Sequence, residues 1–87
     1  MTEPRTLTEP EVRAALAMFW HASQYARRTV ALWHLSKKKP RADDMLYLAL
    51  QLKGAEDSVQ RVIRGEGSIA NFDSQIAFFA TRLQELG

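Results

Sequence analysis

Cysteine is absent from the 87 residues, so no disulfide closes this chain and no thiolate is available as nucleophile or metal ligand. A fold of this size without staples depends on helix packing, and on self-association where one core falls short. Glycine and proline are sparse, and neither occurs from residue 11 to residue 39, which leaves that stretch free to form one long helix. No apolar run approaches the roughly 18 residues needed to span a bilayer, and the N-terminal MTEPRTLTEPEV is polar and acidic, unlike a signal peptide. These two absences lead us to expect a cytoplasmic protein with no membrane contact. Acids are missing from residues 21 to 41, which carry six bases: Arg27, Arg28, Lys37, Lys38, Lys39 and Arg41. What the chain does have is a globular composition, 46% apolar against 25% charged, at a length suited to a single domain. We assign residues 8–87 to that domain and residues 1–7, which show no periodicity, to a flexible N-terminus.

In chain order, Thr8 with Glu11 three residues on reads as a capping box, so a helix is expected from about residue 9. Within it Val12, Leu16, Phe19, Ser23, Ala26, Val30 and Trp33 recur at alternating spacings of four and three, one face of an amphipathic helix and the expected core stripe. Ser23 and Ala26 at its centre are small and suggest close approach of another backbone. The three lysines suit a helix C-terminus, and Pro40 calls for a turn. Asp43 or Asp44 is expected to cap the next element, whose apolar positions Met45, Leu48, Leu52, Ala55, Val59 and Val62 keep one phase across Gly54. Two readings fit: one helix from about 44 to 64 with an interior glycine, or two helices broken at residues 53–55. The segment 65–67, GEG, ends that element, and Ser68 or Asn71 is expected to cap a last helix with Ile69, Phe72, Ile76, Phe79, Leu83 and Leu86 inward.

Residues 48–66 carry the most specific pattern. Leu48-Ala49, Leu52, Gly54, Ser58-Val59, Arg61, Val62 and Gly65 resemble the helix-turn-helix of lambda-repressor-like (Cro-type) domains, a resemblance extending over roughly residues 30–83. The chain departs from that family at Lys53, which occupies the usual glycine position, at Met45, where a glutamine is common, and at the acids Glu56 and Asp57. What the resemblance implies is a DNA-binding regulator in which Ser58, Gln60 and Arg61 face bases from a recognition helix. Lys53 and Arg64 would contact phosphates, flanked by Lys37, Lys38, Lys39 and Arg41. The long first helix would make the dimer contact.

A second face competes for the functional role. Trp20, Arg27 and His34 lie together on the first helix, with Gln24 beside them and Arg28 adjoining, the mixture of aromatic and basic groups that interaction hot spots use. The plain alternative is a wide apolar face that buries Trp20 with Arg27 stacked over its ring. The lysine run likewise reads either as phosphate contact or as a solvated helix end.

Catalysis is not expected. His21 and His34 fall about 140° apart around a helix and cannot share a metal. The adjacent acids Asp43-Asp44 and Glu56-Asp57 suit caps and surface better than an acid/base couple, and no cofactor or metal motif is present. The sequence therefore predicts an all-α compact bundle of three to four helices with a long N-terminal helix, and the resemblance implies a helix-turn-helix within it. Its overhang calls for a homodimer, because about 27 helical residues extend about 40 Å. The expected role is a small DNA-binding transcriptional regulator of double-stranded DNA. The alternative is a non-enzymatic protein-interaction module, a phage- or plasmid-type inhibitor or adaptor, binding its partner through the first helix.

Overall fold

In the computed structural model, which describes residues 6–87, the chain forms three α-helices, and no strand occurs among the described residues. The expectation of a flexible terminus falls, for residues 1–5, outside them. Helix α1 (Glu9–Leu35) starts as the capping box dictates. The Thr8 amide donates to Glu11 Oε1 at 2.9 Å and the Glu11 amide to Thr8 Oγ1 at 3.3 Å, satisfying two of the free N–H groups of the first turn. Ser36 closes the other end, its amide reaching the carbonyls of Leu32 and Trp33.

Helix α2 (Ala42–Ile63) begins two residues earlier than the sequence suggested. Neither aspartate is the cap: Arg41 holds that position, and Asp44 reaches back from the first turn to accept from the Arg41 amide at 3.0 Å. The helix then runs through Gly54 without interruption, so the turn that the helix-turn-helix resemblance implies at residues 53–55 is not formed. The reason lies in the apolar spacing. Leu48, Ala55, Val59 and Val62 are all buried, with Leu52 packed against them, and they share one face only if the helical phase continues past the glycine. An interior glycine costs roughly 1 kcal/mol relative to alanine, less than unburying one of those side chains.

The stop after α2 is unambiguous. Gly65 adopts φ 77°, the Glu66 amide bonds the Arg61 carbonyl at 2.8 Å and the Gly65 amide bonds the Val62 carbonyl at 3.0 Å, which together form a Schellman motif. A single 3-10 turn (Ile69–Asn71), capped by Ser68 Oγ accepting from the Ala70 amide, leads directly into α3 (Phe72–Glu85). Phe72 and Phe79 of its predicted stripe are buried, and Ile69, Ile76 and Leu86 pack against them.

Helix α1 is the element on which the other two are assembled. The α1–α2 pair is an antiparallel hairpin, pinned by Tyr25 Oη donating to Gln51 Oε1 at 2.9 Å. Helix α3 lies on one side of that hairpin, where the Tyr25 and Phe79 rings meet at 5.7 Å and Arg28 donates to the carbonyl of Gly87 at 2.6 Å. The molecule is elongated, 51 × 27 × 16 Å.

One expectation is overturned here. The α1 residues that are buried are Met18, Ala22, Tyr25 and Thr29. They repeat the spacing of Phe19, Ser23, Ala26 and Val30 one residue earlier, so the face turned to the core is rotated by about 100° from the predicted one. The apolar arc of α1 covers both phases. Only one half of it meets α2 and α3, the half that gives the Tyr25 hydroxyl an acceptor and its ring an aromatic neighbour.

Candidate interaction face

The other half of the α1 arc is open. Val12, Leu16, Phe19 and Val30 are 41%, 64%, 46% and 50% exposed, although their spacing is that of a helix seam. Phe19 and Ser23 form one wall of a groove whose other wall is Leu52 and Glu56 of α2, with Ala22 and Ala55 at its floor. This groove is on the side of the hairpin away from α3, since Gln51 and Gly54, on the far side of α2, face Phe78 and Phe79 instead. A second shallow hollow farther along α1 is lined by Ala26, Arg27, Val30, Ala31 and His34. The two hollows border one continuous stripe from residue 12 to residue 30.

Trp20 lies on the shoulder of this stripe, 56% exposed, its ring edge-on to that of His21 at 4.9 Å. It is not covered by the bundle, contrary to the plain alternative. Arg27 and His34 continue the same shoulder, both exposed. Gln24 is half-buried one step further round, and Arg28 is turned away to hold the end of α3. Of the five residues expected on this face, three therefore belong to it.

The basic segment forms the exposed turn between α1 and α2. Lys37, Lys38, Lys39 and Arg41 are all solvated, Lys39 Nζ donating to the His34 carbonyl at 3.0 Å and Ser36 Oγ to the Lys38 carbonyl at 2.8 Å. Lys39 thus satisfies a free carbonyl at the α1 C-terminus, as a cation there should.

The residues expected to read bases do not converge. On one unbroken helix Ser58 and Gln60 point about 160° apart. Ser58 and Arg61 line a hollow against Gly67, Asn71 and Gln75, whereas Gln60 donates to Glu56 Oε1 at 2.9 Å on another side. Lys53 pairs with Asp57 at 3.3 Å and Arg64 with Glu66 at 3.9 Å, so each expected phosphate contact has a carboxylate beside it. Among the described residues no group of three His, Asp or Glu side chains is placed to hold a metal ion, and no helix is long and apolar enough to cross a membrane.

Sequence reasoning assigned Val12, Leu16, Phe19 and Val30 to the core and so missed them as surface. The available signal was the doubled apolar phase of α1, one register more than two partner helices can cover. No family model matches this chain, and neither a curated protein nor a solved structure matches it. Its function has to be argued from the face itself.

Proposed function

We propose that this chain is a non-enzymatic protein-interaction module that docks its partner along the open face of α1. The observation that carries the reading is the exposure of Val12, Leu16, Phe19 and Val30, a regularly spaced apolar stripe bordered by Trp20, Arg27 and His34. Exposed apolar patches of this continuity mark interaction surfaces, and tryptophan with arginine at the border is the composition of a binding hot spot. A photo-crosslinking residue at Ala31, beside the stripe, tests it in cells. The reading expects a discrete protein adduct that Trp20→Ala or Arg27→Ala diminishes; crosslinks spread over many proteins and insensitive to both changes would sink it.

A second reading, DNA binding, is favoured by the solvated basic turn at residues 37–41 and by the absence of acids from residues 21 to 41. It rests on phosphate contact, since the base-reading side chains are dispersed around α2. Anisotropy of a labelled mixed-sequence duplex at about 50 and 200 mM salt separates the two. Micromolar binding that weakens steeply with salt supports the DNA reading, and no binding at the lower salt removes it.

A further inference from the structure

The occupant of the open α1 face can be named from its own residues. Positions 12, 16, 19, 23, 26, 30 and 33 alternate in steps of four and three, the spacing of a coiled-coil seam that another helix of the same spacing completes. We propose that the partner is a second copy of this chain, its α1 antiparallel to the first, with Ser23 of each against Ala26 of the other. The proposal rests on the reading of this face as a docking surface and adds the identity and orientation of what docks.

Self-complementarity selects that register. With the twofold axis between Ser23 and Ala26, the small residues meet at the centre and let the helices approach closely. Phe19 then faces Val30 of the second copy, and Leu16 faces the outer edge of its Trp33, a ring half-buried against its own core. On the shoulder, Trp20 comes opposite Arg27 of the second copy, a cation over an aromatic ring. Sliding the helices by one heptad in one direction sets Arg13 against Arg27, like charges. Sliding them by one heptad in the other direction carries Phe19 past the end of the second copy's α1 and shortens the overlap of the two helices to about 15 residues. The chosen register also brings the acidic first turn of α1, with Glu9 and Glu11, to the end of the second copy where Lys37, Lys38, Lys39 and Arg41 are exposed. In this register the two α1 helices overlap over about 22 residues, about 33 Å, and a face of that length about two helix diameters, 20 Å, wide covers about 660 Å² per copy, within the range of specific interfaces.

The absence of native cysteine makes the geometry directly testable. Light scattering on a sizing column should give about twice the 9.9 kDa chain mass at about 100 μM. Under oxidation, Phe19→Cys protein mixed with Val30→Cys protein should form the mixed disulfide. Phe19→Cys alone should not, because its two copies would sit about 16 Å apart along the axis, beyond disulfide reach. Leu16→Glu should keep the helical circular dichroism and raise the dimer dissociation constant at least tenfold, on the order of a lost hot-spot contact. A monomer at 100 μM, an efficient Phe19→Cys homodisulfide, or an intact Leu16→Glu dimer would each overturn the proposal. A monomer that still gives a discrete, Trp20-dependent adduct in cells would leave the interaction reading standing with a different partner.

Discussion

Gly54 sits inside α2 with open space where a Cβ would go, so alanine fits there and narrows the unfolded chain's freedom. Gly54→Ala should stabilise the fold by about 0.5–1 kcal/mol, read as a higher melting temperature by circular dichroism. Gly65 is the opposite case. Its positive φ serves the Schellman motif, so Gly65→Ala should cost about 1 kcal/mol in the same melt. Met18 is fully buried where α1 meets the core, and Met18→Ala should cost about 2–5 kcal/mol, measured by urea unfolding. The Gln51 side chain ties α2 to α1 at the edge of that core, its Oε1 accepting from the Tyr25 hydroxyl at 2.9 Å. Sequence spacing placed none of this, since a side-chain hydrogen bond between residues 26 positions apart leaves no periodic trace.

Three helix boundaries fall where the punctuation puts them, and the start of α2, capped at Arg41 rather than at Asp43 or Asp44, does not: Thr8 with Glu11 opens α1, Gly65 closes α2, and Ser68 opens the path into α3. These signals are local, carried by backbone groups and by side chains within four residues, and so were legible in the chain. Thr8→Ala should accordingly cost about 1 kcal/mol, seen as a lower urea midpoint with an unchanged slope. Which phase of α1 faces inward was not legible. Val12, Leu16, Phe19 and Val30 form as regular a stripe as Met18, Ala22, Tyr25 and Thr29, and the choice between them is made by Gln51, Phe79 and the other side chains that α2 and α3 bring. Gly54 posed a similar ambiguity, resolved by the burial of Ala55, Val59 and Val62 beyond it. The candidate face was legible only in part: Trp20, Arg27 and His34 were named from their shared side, while the apolar strip beside them was taken for core.

As a whole, the molecule has a radius of gyration of 15.1 Å against about 12 Å for a typical globular chain of this length, the mark of one long helix with two shorter ones laid along it. If two such molecules bury their open faces against each other, stability depends on concentration. The melting temperature should then rise between about 5 and 200 μM protein, and Leu16→Glu should abolish that dependence. The placement of α1 also bears on how the chain is made. The helix on which the other two are assembled leaves the ribosome before them, its whole apolar arc bare, while the residues that cover its inner half, from Leu48 to Phe79, follow one to two helices later. Folding therefore waits for α3 to emerge: a nascent chain stalled before α3 has a spine but no completed core, its inner apolar half still open to water.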